Sequence, residues 1–162
     1  SGSSSKASPT SSGSSSGSSG QSDVKRFSEL IERGDVDKLR SELSNADDAN
    51  LESSSGRSLL MLAVRAPKQS EKLVALLLER KARAEFAERR RGWTALHIAA
   101  RDGRTDLARA LLDAHAEVNR RDSDSGWTPI MDAAAFNRAD VIELLLARKV
   151  CAALLIEFEL AS

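Results

Sequence analysis

A block of nine residues returns at a fixed interval. Gly92-Trp93-Thr94-Ala95-Leu96-His97-Ile98-Ala99-Ala100 comes back 34 residues later as Gly126-Trp127-Thr128-Pro129-Ile130-Met131-Asp132-Ala133-Ala134. Leu111-Leu112 returns at the same offset as Leu145-Leu146. A looser copy precedes both, Gly56-Arg57-Ser58-Leu59-Leu60-Met61-Leu62-Ala63-Val64 followed by Leu77-Leu78. Its block lies 36 residues before the next one, which places a two-residue insertion around Ala66–Ser70. The segment from Phe27 to Asn50 carries the second-helix half of the pattern, with Gly34 matching Gly103 and Asn50 matching Asn119. A chain with this period is not built around one central core. Each unit buries little alone, and neighbouring units must share a continuous interior.

The local signals agree on helix–turn–helix units. Thr94 and Thr128 suit helix N-caps. Pro129 suits the first helical position, where its missing donor costs nothing. Leu96, Ala99 and Ala100 form a narrow stripe of mostly small residues that lets a neighbouring helix come close. Gly103 suits the left-handed residue that ends a helix. Leu107, Ala108, Leu111 and Leu112 then face inward from a second helix. Each burst spans two or three turns, too short to hold without neighbours.

The stretch Gly92-x-Thr94-Ala95-Leu96-His97-x-Ala99-Ala100-x-x-Gly103, closing in Leu111-Leu112 and Ala116-x-Val118-Asn119, resembles the ankyrin repeat. That family's hallmark is Thr-Pro-Leu-His-x-Ala. The resemblance covers about residues 24–150. It implies an all-α solenoid of stacked helix–turn–helix units with finger loops, preceded by a disordered N-terminal tail. The expected division is a Ser/Gly-rich tail or linker over 1–22, repeats at about 23–52, 53–88, 89–122 and 123–150, and an apolar C-terminal tail over 151–162. Some positions depart from the family pattern. Lys81, His115 and Lys149 stand where glycine usually follows the second helix, and each should cost about 1 kcal/mol in a left-handed turn. Leu59 and Met61 replace the usual Pro and His, and Pro67 falls in an inner turn.

Composition narrows the function. The 162 residues are 30% charged and 41% apolar, an ordinary globular balance. Lys plus Arg equals Asp plus Glu at 24 each, so bulk charge does not grip nucleic acid or anionic lipid. No apolar run approaches the ~18 residues of a membrane span. Cys151 is the single cysteine, which excludes an internal disulfide and a multi-thiolate metal site. No Asn-x-Ser/Thr sequon occurs, which fits an intracellular setting, cytoplasmic or nuclear. Residues 1–20 hold 12 Ser and 4 Gly, a composition that cannot offset the entropy of ordering. Ser8-Pro9 within it could suit a proline-directed kinase, on a dipeptide too common to carry weight. The start at Ser1, without Met, reads as that of a processed or truncated chain. The run from Val150 to Leu160 lacks a repeat signature and reads as an interrupted solenoid, with self-association through its apolar residues as the consequence.

Catalytic machinery is sparse. His97 falls inside the repeat signature, where the family uses it to hydrogen-bond between turns. His115 reads as a solvated turn residue and Cys151 as an inert thiol in an apolar run. Phosphate-loop, dinucleotide and zinc-protease motifs are missing, and no cofactor is expected. What remains is binding. In ankyrin-like stacks partners dock on the fingers and the open face of each first helix. By position this selects Arg90, Arg91, Trp93, Arg101 and Asp102, then Asp124, Trp127 and Phe136 in the next repeat, and Arg57 with Arg65 in the looser one. The two Trp could anchor a partner or merely shield the turn beneath them. From Arg80 to Arg91 six basic and two acidic side chains could attract an acidic peptide or stay solvated. The expected function is a non-catalytic module binding a partner protein, one with acidic groups. The alternative is a regulatory or targeting segment of a larger enzyme. Nucleic acid is disfavoured by few aromatics and neutral charge.

Overall fold

The computed structural model describes residues 17–149. Among these, helices follow one another as α1 (Gly17–Arg33), α2 (Val36–Glu42), α3 (Ala46–Ala49), α4 (Leu59–Arg65), α5 (Ser70–Glu79), α6 (Ala95–Asp102), α7 (Thr105–Asp113) and α8 (Pro129–Ala135), and α9 spans 139–149. Only isolated bridges, Glu52 with Ser58 and Ala87 with Thr94, interrupt the helical pattern. The readings made for the Ser/Gly tail ahead of residue 17 and for the apolar tail from Val150, Cys151 included, lie outside the described residues. Helix α1 begins at Gly17, inside the segment expected to be linker.

The helices form two stacks. α1, α4, α6 and α8 pack in succession, and α2, α5 and α7 pack in a second row beside them. The first repeat therefore holds both helices, α1 as well as α2. Its first helix carries no Thr-x-x-His signature, but Val24, Phe27, Leu30 and Ile31 are all buried. Apolar spacing suffices there because the helix buries one side, against α4 and α2.

The ends of these short helices are met by side chains. Ser58 Oγ accepts from the Met61 N–H at 3.3 Å, and Thr94 forms a reciprocal capping box with His97. Thr128 has no such bond, although Pro129 follows it as expected. Between each helix pair one residue turns left-handed: Gly34, Gln69, Gly103 and Asn137. The turn Ala66–Gln69 is longer than Gly103–Arg104 by the inserted pair. Lys81 and His115 adopt φ of 68° and 66°, the turn that the family usually gives to glycine. Lys149 does not; it is still helical, so α9 runs past the point where the preceding second helices stop.

One interior runs through all repeats. Leu39, Leu60, Leu73, Leu77, Leu96, Ala99, Leu111, Ala133 and Leu145 belong to a single cluster and are fully shielded from solvent. Polar staples connect neighbouring units along its edges. Gln69 Nε2 donates to Gly34 O at 2.9 Å, Arg104 to Ser70 Oγ at 2.5 Å, and Arg138 Nε to Arg101 O at 3.1 Å. On the opposite edge Arg80 donates to Leu43 O. Asn50 Nδ2 donates to Ala46 O at 2.7 Å and to Lys81 O at 3.2 Å, while its Oδ1 accepts from Arg83 N at 2.8 Å. Asn50→Ala should cost about 1 kcal/mol, read from the urea midpoint, because the freed groups are partly open to water. A loss below the error of the midpoint would show that this staple adds nothing.

Candidate functional site

The site grows from two fingers. In the first, Glu88 N donates to Trp93 O at 2.8 Å and Gly92 N to Glu88 O at 2.9 Å. In the second, Asp122 N donates to Trp127 O at 2.9 Å. The Asp122 carboxylate organises that finger, accepting the N–H groups of Asp124 at 3.1 Å, Ser125 at 2.7 Å and Gly126 at 2.8 Å. Burial pushes this carboxyl upward, but hydrogen bonds from Ser125, Gly126 and Trp127 outweigh it and hold Asp122 below the ordinary carboxylate value. The fingers join where Ser123 N donates to Arg91 O at 2.7 Å.

His97 ties the second finger to the helices. Its Nδ1 accepts the Thr94 backbone N–H at 3.2 Å and lies 2.9 Å from Thr94 Oγ1. Its Nε2 lies 3.1 Å from Trp127 O. A carbonyl only accepts, so the proton sits on Nε2 and the ring is neutral in this arrangement. Burial lowers its pKa, partly opposed by the Trp127 carbonyl and the Asp122 charge. Both nitrogens are engaged within the fold, which is the inter-turn role expected of His97.

On the face made by fingers and first helices, arginine and aromatic planes alternate. Arg91 lies 5.0 Å from the Trp93 ring centroid and Arg101 lies 5.2 Å from it. Arg101 also lies 4.5 Å from the Phe136 ring. These separations are within the range of cation–π attraction. The stack borders a cavity of about 260 Å³ lined by Arg57, Arg65, Arg91, Trp93, Ile98, Arg101 and Asp102. Arg57 is held at 3.0 Å by Glu88, which is itself buried. Arg65, Arg91 and Arg101 make no ion pair among the described residues. Wider recesses of about 600 and 670 Å³ lie elsewhere, between α2 and α5 and beneath the finger at Ser53–Gly56.

The structure thus brings together six of the residues selected from sequence, Arg57, Arg65, Arg91, Trp93, Arg101 and Asp102, and a seventh, Phe136, through its contact with Arg101. Arg90 lines the recess with Glu52 and Arg89 instead. Asp124 is exposed on the second finger, and Trp127 is 39% exposed without a ring contact to an arginine. Sequence reading passes over Ile98, Glu88 and Asp132. The signal for Asp132 is its register: it takes the place that Ile98 holds one repeat earlier. It is buried, with Oδ2 lacking a hydrogen-bond partner, as does Thr128 Oγ1 nearby in sequence. Burial, followed by repulsion from Asp122, pushes the Asp132 pKa up to about 6, against some attraction from Arg101. Among the described residues no group of His, Cys, Asp and Glu is placed to hold a metal ion. None of the described helices is long and apolar enough to cross a membrane.

Tandem helix pairs joined by finger turns define a repeat solenoid. A family model described as ankyrin repeats in three copies matches residues 27–122, and again 60–153. The chain belongs to the ankyrin-repeat family. No curated protein matches it. Ankyrin repeats are generally protein–protein interaction modules and are typically non-catalytic.

Proposed function

We propose that this chain is an interaction module that holds an acidic segment of a partner protein on its finger and first-helix face. The observation that carries the reading is the Arg91–Trp93–Arg101–Phe136 stack beside the arginine-lined cavity. The stack orders long side chains before a partner arrives, so less rotamer entropy is lost on binding. Trp93 supplies apolar area at the centre, and Trp127 offers a second, more open ring. Arg57, Arg91, Arg101 and Asp102 set the charge around Trp93. Arg90 and Asp124 flank it from the two fingers and act on encounter more than on affinity.

The test uses the full chain and a library of acidic peptides, with retained peptides titrated by fluorescence polarisation. Trp93→Ala should weaken a retained peptide by roughly tenfold, about 1.4 kcal/mol, with the helical spectrum intact. Raising salt should weaken it further. Lys72→Gln, in the recess between the outer helices, should leave binding unchanged. Equal loss from Trp93→Ala and Lys72→Gln would place the contact elsewhere on the solenoid.

A further inference from the structure

Resting on the reading just given, we infer that the cavity between Arg57, Arg65, Arg91 and Arg101 is a seat for a phosphorylated serine or threonine of the partner segment. Four guanidinium groups line the wall, against one lining carboxylate, Asp102. A second carboxylate, Glu88, which is not in the wall, pairs with Arg57 at 3.0 Å. Two positive charges are left unmatched in a space of about 260 Å³. A carboxylate side chain brings a single negative charge and satisfies one arginine fork. A phosphomonoester brings roughly 1.5 to 2 negative charges and three acceptor oxygens, which suit several forks at once.

Geometry favours the same group. Arg91 and Arg101 lie against Trp93, and Arg101 against Phe136 as well. Both guanidinium groups border the same cavity, and contact with a ring face leaves N–H donors of each available to one anion. Arg65 is exposed at the end of α4, and Arg91 is exposed on the finger, so the cavity is entered from solvent. Ile98 forms its only aliphatic wall. Asp132, which senses Arg101 electrostatically, is not part of the wall. The arginines converge on one group-sized space. A duplex or a lipid surface would call for basic residues spread along a stripe or plane, and the whole chain has no charge excess to provide them. A single dianionic side chain on an extended peptide is the fitting occupant.

The experiment passes three degenerate peptide libraries over the immobilised full chain, identical but for a central phosphoserine, serine or glutamate. Vesicles of phosphatidylcholine with phosphatidic acid form a fourth arm. The expected result is retention of phosphoserine peptides, roughly tenfold tighter than their glutamate counterparts. Arg65→Gln and Arg91→Gln should each reduce it several-fold. Arg65→Lys, which keeps the charge and removes the fork, should recover only part. Lys72→Gln should change nothing. The substituted arginines are exposed, so the folded state is retained and is checked by helical signal. Equal retention of glutamate and phosphoserine peptides overturns the phosphate assignment and leaves the acidic-segment reading standing. Retention indifferent to Arg65→Gln and Arg91→Gln overturns the site. Binding of vesicles without any peptide overturns it in favour of a lipid surface. No retention of any acidic or phosphorylated peptide removes both readings together.

Discussion

Gly92→Ala is expected to destabilise the chain by about 3 kcal/mol, whereas Gly126→Ala costs about 1. The two glycines hold the same finger position and the same φ of 70°. Both substitutions force a side chain into the left-handed region. They differ in what the new Cβ would meet. At Gly92 it would lie 2.4 Å from Ser123 Oγ and 2.8 Å from Ser123 N. The hydroxyl can rotate away, but the backbone nitrogen cannot, since it donates to Arg91 O at 2.7 Å. At Gly126 nothing lies within 4 Å. Urea unfolding of the full chain reads the difference directly. Equal midpoints for the two variants would mean that the fingers are not in contact.

Asp132→Leu should stabilise the chain by about 2 kcal/mol at pH 8. Leu branches where the carboxylate does, and it replaces a buried oxygen that has no partner. The gain should depend on pH with a predictable sign. The folded chain raises Asp132 from an ordinary 3.8 to about 6, so folding disfavours its charge. Stability is then full below about 3.8 and falls as pH rises through about 6. Most of the benefit of Asp132→Leu should therefore appear above pH 6 and fade toward pH 4. His97 acts in the opposite sense. Burial lowers its pKa from an ordinary 6.5, so its contribution is present above that value and is lost as pH falls below it. The variant should keep this loss on acidification while shedding the decline that Asp132 causes between about 3.8 and 6. Stability of Asp132→Leu that still declined between pH 5 and pH 7 would contradict the assignment.

Much of the architecture was legible because a repeat multiplies weak signals. Thr94, His97, Gly103 and Leu111-Leu112 would each mean little once; their return 34 residues later identifies a unit and its register. The inserted pair near Ala66–Ser70 was readable for the same reason. The first helix of the first repeat was legible only as a helix: Phe27, Leu30 and Ile31 have helical spacing, but no signature beside them marks the start of a unit. At the candidate site, residue types and positions were legible for Arg57, Arg91, Trp93, Arg101 and Phe136. Their partition was not. Arg90 and Arg91 are neighbours in sequence, yet only Arg91 reaches Trp93. Asp132 looked like any helical carboxylate until its burial against the preceding repeat was visible.

Periodicity settles that this chain is a helical stack, because each unit is too short to fold alone and the helices must share one apolar seam. Which side chains meet across that stack is decided only by tertiary structure. Arg101 reaches both Trp93 and Phe136, and Ser123 reaches Arg91, because one repeat is laid on the next at a fixed distance. Such contacts depend on separations of a few ångströms between units, which a linear pattern does not encode.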